Sequence, residues 1–390
     1  MPSEDAAKAP AALPAHLPAS LHMAVHGSLE SVEERWRDAW NRLAGTPFQN
    51  FDWVKTWYET LGRQQGYKPC IGELRADTPD GPTVLLLPLA FRRQGLLRVM
   101  GFMGAELLDY QAPLIDPAFA RALTPAHAAR LWNGFMNIFP SVDMIRTRRM
   151  PANIGDLANP FAALPGAVHN ENANAARLPA DFETFAASRD TRMFADGRRQ
   201  LRRLAELGKV SMLTEVEEPA LRARVMQALF EQKSHRWTEN GAIDAFALPG
   251  YREFFSGLAT GPLDGVDSVV SALMLDDRII ATHWGMRRGD RYYWLMPTYD
   301  HEWSRFSPGR LLMEAVIRRC IDDGLNVFDL TAGDEPYKKQ WVDEKVKLYT
   351  LKQSFSTVGN YALNLDRVRE FAKRSTVLRQ WVRKLRGQKP

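Results

Sequence analysis

Cysteine is nearly absent: Cys70 and Cys320 are the only two in 390 residues. That count excludes a disulfide framework and a cysteine-rich metal centre, and it fits a reducing compartment. The eight histidines are scattered, so no metal site is expected. No window approaches the roughly 18 consecutive apolar residues of a membrane helix. Walker, Rossmann and Gly-x-Ser-x-Gly patterns are missing. Residues 1–27 lack a basic start followed by an apolar run. They are expected to be a disordered arm, not a signal peptide, and the protein is expected in the cytoplasm.

What is present suffices for two domains, with 45% hydrophobic and 10% aromatic residues. The net charge of +5 is unevenly placed: residues 364–390 hold nine Lys/Arg against two acids, which is +7 and leaves −2 elsewhere. Val368, Phe371, Trp381 and Leu385 give this tail an imperfect apolar face. A basic amphipathic helix is expected there, packed on the body or lying on an anionic membrane surface or a partner. No nucleic-acid fingerprint accompanies the charge, so DNA is not an expected partner.

The stretch Arg291 to Trp341 carries the most information. Tyr292 to Leu295 have strand-type bulk. Ser307 reads as an N-cap, with Pro308 at the first helical position. Leu311, Leu312, Ala315, Val316 and Cys320 recur at helical spacing, and Gly324 ends the helix. Leu325 to Leu330 is a second strand. Strand, helix and strand with short links predict a parallel pair whose helix N-terminus favours an anion. Gly309 allows close backbone approach, and Arg305 and Arg310 add charge.

Elsewhere, helices are expected over 32–43, 51–61, 123–138, 182–207, 219–240 and 248–259. The pairs Trp36/Trp40 and Trp53/Trp57 read as core stripes. Hairpins are expected over 68–92 and 268–287, and strands over 142–147 and 347–356. Residues 150–179, rich in Ala, Asn and Pro, read as the connection between two domains, 28–165 and 180–358. Both halves run helices, hairpin, strand, helix, strand. The fold class is α/β (α+β), with mixed sheets flanked by helices.

Tyr299-Asp300, Ser307-Pro308-Gly309, Phe328-Asp329-Leu330 and Gly333-Asp334-Glu335-Pro336-Tyr337-Lys338 resemble the BioF2-like acetyltransferase family. That family belongs to the GNAT superfamily and includes CelD-like proteins linked to polysaccharide synthesis. Its tandem arrangement is similar to that of the FemAB transferases. The resemblance covers 187–355 best; Gln49, Trp53, Trp57 and Asp109-Tyr110 extend it faintly into the first half. It implies two tandem GNAT-like domains and acyl-CoA as co-substrate, without a metal. Leu295, Met296 and Pro297 would pair with the pantetheine arm; Arg305, Ser307, Gly309 and Arg310 would meet the pyrophosphate. The usual phosphate loop has two small residues, whereas here Arg310 follows the single Gly309.

Acyl transfer to an amine needs a base and a proton donor for the leaving thiolate. Base candidates are Asp334, Glu335 and His283. Tyr299 is the candidate acid, with Tyr337 in reserve. Acceptor contacts are expected from Lys338, Tyr337, Asp329, His235, Arg236, Trp237, Asp109 and Tyr110. The expected activity is N-acylation of a sugar, nucleotide sugar or envelope-polymer precursor. The alternatives are an aminoacyl-tRNA-dependent transferase of FemAB type, which the body's slight negative charge disfavours, and a noncatalytic scaffold.

Overall fold

A computed structural model describes residues 20–374. The first half begins with β1 (Leu21–His26), α1 (Glu33–Arg42) and α2 (Phe51–Trp57). Six strands follow: β2 (Lys68–Pro69), β3 (Ile71–Ala76), β4 (Thr83–Leu87), β5 (Leu89–Gln94), β6 (Leu97–Phe102) and β7 (Leu114–Ile115). Then come α3 (Pro117–Ala122), α4 (Pro125–Ile138), β8 (Met144–Pro151), β9 (Asn153–Ile154), β10 (Leu157–Ala158) and β11 (Ala167–Arg177). The second half opens with α5 (Phe182–Ala187), α6 (Thr191–Ala205), β12 (Val210–Leu213), α7 (Pro219–Glu239) and α8 (Tyr251–Thr260). It closes with β13 (Asp267–Leu275), β14 (Arg278–Arg288), β15 (Arg291–Tyr299), α9 (Pro308–Asp322), β16 (Val327–Ala332), β17 (Glu344–Ser354) and α10 (Thr357–Arg374).

Eleven strands form one mixed sheet in the order β12-β13-β14-β15-β16-β11-β17-β8-β6-β5-β2. Its centre overturns the expected connector: β11 lies between β16 and β17, antiparallel to both. Ala173, Ala175 and Ala176 are fully buried there. Both edges of β11 are paired, and tertiary context overrides its poor strand propensity. β17 in turn pairs with β8, so the two halves share one sheet. The core crosses between them too, with Phe48 and Trp53 packing on Tyr293 and Phe254. Both tryptophan stripes are buried, as their spacing predicts.

A second sheet, β1-β3-β4-β7, corrects two further expectations. Leu21–His26, taken with the disordered arm, is a strand antiparallel to β3. The 68–92 hairpin divides: β3 and β4 pair here, while β2 and β5 pair in the larger sheet. Residues 375–390 of the expected basic helix lie outside the described residues.

Glu73 pins this smaller sheet. Its fully buried carboxylate meets His26 at 2.8 Å, Arg35 and Arg75 each at 2.6 Å, and the Thr83 hydroxyl. Burial alone would raise its pKa. The hydrogen bonds from His26, Arg75, Thr83 and Arg35 outweigh that and hold it far below the ordinary carboxylate range. A depressed carboxylate stabilises the fold above its unfolded pKa of roughly 4.3 and loses that contribution as pH falls. Glu73→Gln should therefore cost about 2 kcal/mol at neutral pH and flatten the acid limb of stability below pH 5. Urea unfolding across pH reads both.

Candidate active site

Two strand pairs among the described residues are parallel, one in each half, and both open after a few residues. In the second half β15 pairs with β16 only from Arg291–Val327 to Tyr293–Asp329. Beyond that, β15 follows β14 through a bulge that leaves Leu295 without an opposite residue. The gap is capped by the start of α9, and a cavity of about 290 Å³ opens there. Pro297, Thr298, Tyr299, Gly309 and Tyr337 line it. The Thr298 hydroxyl is 2% exposed and has no partner, so a ligand donor or acceptor would satisfy it. A side chain at Gly309 would stand 3.3 Å from the Tyr299 ring, which is why glycine fits.

The first turn of α9 departs from its sequence reading. Ser307 is left-handed (φ 51°, ψ 48°), and its side chain caps nothing. A tight turn over His301–Phe306, capped by Asp300 instead, runs directly into the helix and forces the reversal at residue 307. Pro308 has no N–H, and those of Arg310 and Leu311 reach the Ser307 carbonyl at 3.0 and 3.2 Å. Gly309 is left as the donor that can face the cavity. Arg310 lines the cavity but is held by Asp196. Arg305 lies over the Phe306 ring at 4.7 Å and does not reach the cavity. Leu295 and Met296 pack toward the core; Pro297 is the member of that trio lining the gap.

In the first half, β6 pairs with β8 only at Val99–Met144 and Met100–Ile145. That gap is plugged. Gln111 donates its backbone N–H to Arg149 O at 3.0 Å, accepts from Arg148 N at 2.6 Å and donates its amide to Ala105 O at 3.1 Å. About 60 Å³ remains there, too little for a thioester arm. One gap of the two is thus open.

A larger hollow of about 670 Å³ adjoins the open gap. Arg236 and Tyr299 line both, standing between them with the guanidinium 6.0 Å from the ring centroid. Glu239 sits 3.6 Å from His235 and 3.7 Å from His301 across this hollow. Trp237 lines neither space and packs on Phe246.

The loop after β16 pairs two of the residues expected to serve as base and acceptor contact, Glu335 and Lys338, with each other. Lys338 is 4% exposed, donates to the Ala332 carbonyl at 2.7 Å and pairs with Glu335 at 2.9 Å. It closes the loop and offers no free charge to an acceptor. Burial would raise Glu335, but the Lys338 bond and charge hold it below its usual range, the wrong direction for a base near neutrality. Asp334 is exposed and lines neither space. Burial pushes the Tyr337 hydroxyl up, helped by Glu335.

His283 is fully buried and stacks on Trp294 at 3.6 Å. Burial drives its pKa well down, so it is neutral, and it too lines neither space. Asp329 is 1% exposed and fully engaged: Tyr110 reaches both its oxygens at 2.9 Å, and Arg291 lies at 2.9 Å. Asp109 pairs with Arg149 at 2.8 Å. Asp329 and Tyr110 join the halves and, with Arg291, line a separate hollow of about 230 Å³; none of Asp329, Tyr110 and Asp109 lines the open gap or the larger hollow.

Lys233 was missed by sequence reasoning. It lies on α7, one turn before Arg236, and its amine donates to the Pro297 carbonyl at 3.3 Å. Burial, then the nearby Arg236, bring it down to about 8. The signal was available in Lys233-Ser234-His235-Arg236: positions three apart share a helical face.

Residues 191–339 match the family model of the GNAT acetyltransferase domain. No curated protein matches the chain. Among solved structures, FemX is similar at 12% identity over 84% of this chain and 96% of its own, with a TM-score of 0.56. The C-terminal domain of a putative lysylphosphatidylglycerol synthetase from Agrobacterium fabrum aligns at 12% identity, covering 87% and 96%, with a TM-score of 0.49. A tandem GNAT protein from the clavulanic acid pathway aligns at 11%, covering 86% and 100%, with a TM-score of 0.44. At such identities the likeness concerns the fold. The architecture is two α/β halves on a shared sheet, a fold similar to that of FemX, and the open gap lies in the half that matches the GNAT acetyltransferase domain. Among the described residues, no group of three or more His, Cys, Asp or Glu could hold a metal, and no helix is long and apolar enough to cross a membrane.

Proposed function

We propose that the protein transfers an acyl group from acyl-CoA to an amine on a sugar, nucleotide sugar or cell-envelope polysaccharide precursor, in the manner of BioF2-like and CelD-like proteins. The observation carrying this is the opened β15/β16 pair, with the unpartnered Thr298 hydroxyl beside the α9 terminus. Pro297, Thr298 and Gly309 would hold the pantetheine and phosphate end. The acceptor would enter through the larger hollow and meet the thioester near Tyr299 and Arg236. The acceptor's ammonium first gives up a proton to the Lys233 amine, passed through water because Lys233 lines neither space. The free amine then attacks the thioester carbon, a C–N bond forms and the C–S bond breaks, and the Tyr299 hydroxyl protonates the departing thiolate.

Calorimetry with CoA and acetyl-CoA tests the reading. Saturable binding is expected, and Gly309→Glu should weaken it at least tenfold by setting a carboxylate at the α9 terminus. Absence of binding by either ligand would sink it. One observation favours a second reading, an aminoacyl-tRNA-dependent transferase: the α9 first turn offers an anion only the Gly309 N–H. Such an enzyme would give no heat with CoA and show transfer abolished by ribonuclease.

A further inference from the structure

Helix α10 (Thr357–Arg374) is attached by one stripe. Gly359 sits against the Asp143 carbonyl, closer than any side chain would permit. Leu363 is 9% exposed. Asp366 pairs with Arg146 at 2.6 Å and Lys352 at 3.3 Å. With 3.6 residues per turn, Val358, Tyr361 and Leu365 fall within an arc about 60° wide on the opposite side. These are 48%, 66% and 39% exposed, and Phe355, just before the helix, is 46% exposed. Single exposed apolar residues are ordinary, but a ridge of large ones on one side of one helix marks a contact surface.

Charge identifies what that surface meets. Residues 364–390 carry nine Lys/Arg and two acids, and the last sixteen residues carry five Lys/Arg and no acid. The rest of the chain has a slight negative excess, so this positive density belongs to one end. An apolar ridge continued by a basic segment matches an anionic bilayer: ring and aliphatic groups enter the headgroup boundary while Lys and Arg stay among the phosphates. A second copy of the chain would bring the same positive density against itself. We infer that α10 docks on an anionic phospholipid surface through Val358, Tyr361 and Leu365, held there by the basic residues that follow. This is independent of the acyl-transfer reading, because no residue of either hollow takes part.

Vesicle flotation of the full chain decides. Binding is expected to vesicles of mixed phosphatidylglycerol and phosphatidylcholine, to weaken as salt rises, and to be near background on phosphatidylcholine alone. The combined change Val358→Ser, Tyr361→Ser and Leu365→Ser should cut partition at least tenfold. So should replacing Arg379, Arg383, Lys384 and Arg386 together by Gln. Circular dichroism and an unchanged melting temperature show that these variants fold, and Tyr361→Ser alone, expected to reduce partition in the same direction, serves if the triple change does not. Absent partition, equal partition onto neutral vesicles, or a dimer in sedimentation that the serine variant abolishes would each overturn the inference.

Discussion

Asp329→Ala is expected to destabilise the protein by about 3 to 4 kcal/mol. The carboxylate is buried where the halves meet, and three groups depend on it: the Tyr110 hydroxyl, the Arg291 guanidinium and the Thr331 N–H at 2.8 Å. Removing it strands a buried hydroxyl and an amide, and leaves Arg291, 23% exposed, without its counter-charge beside the hollow of about 230 Å³ that it lines with Tyr110. Burial pushes Asp329 up against the pull of Arg291 and Tyr110, so part of its energy already goes to keeping a charge out of water. Asp329→Asn keeps an acceptor for Tyr110 and Thr331 and should cost about half as much. Urea unfolding with an unchanged slope would read both. The motif had suggested acceptor contact for Asp329. That role predicts a raised KM with stability intact, so the same pair of variants separates the two.

Asp329 also shows where the sequence was legible and where it was not. The run Leu325 to Leu330 reads as a strand because its apolar residues dominate, and the strand is there. Whether a charge inside such a run faces a ligand or a partner depends on what the other half brings, here Tyr110, 219 residues away. Lys338 failed in the same way. Its residue type suggests a free cation, but the backbone turns at Thr331 and Gly333, both with positive φ, fold the loop so that the amine meets its own chain. The β15, α9, β16 unit was readable because Pro308, Gly309 and Gly324 punctuate it locally. β11 was not, because strand pairing on both edges, not propensity, makes it a strand. Ser307 falls between these cases: the helix start is where the sequence placed it, but the preceding tight turn took over the geometry.

Lys233→Met should lower acyl transfer at least a hundredfold and yet raise stability at neutral pH. The amine is held near 8 in the folded chain by burial and by Arg236, against roughly 10.4 when unfolded. Between those values the unfolded chain binds more protons, so wild-type stability rises with pH from about 8 to 10, and the penalty is full below that window. A gap of roughly two units corresponds to about 3 kcal/mol. Losing the Pro297 hydrogen bond costs roughly 1 kcal/mol, and partial solvation of the amine takes a further share, leaving a gain of about 1 to 2 kcal/mol. Urea unfolding at pH 7 and pH 10 tests this: the advantage of the variant should shrink at the higher pH. Activity, followed as thiol release from acetyl-CoA with amino sugars or nucleotide amino sugars as acceptors, should rise in wild type as pH passes about 8 and lose that limb in the variant. CoA binding by calorimetry should persist, because Lys233 does not line the donor cavity. A merely structural lysine would leave the pH profile in place. A lysine kept at an energetic cost beside the one open gap is what proton abstraction from an ammonium requires.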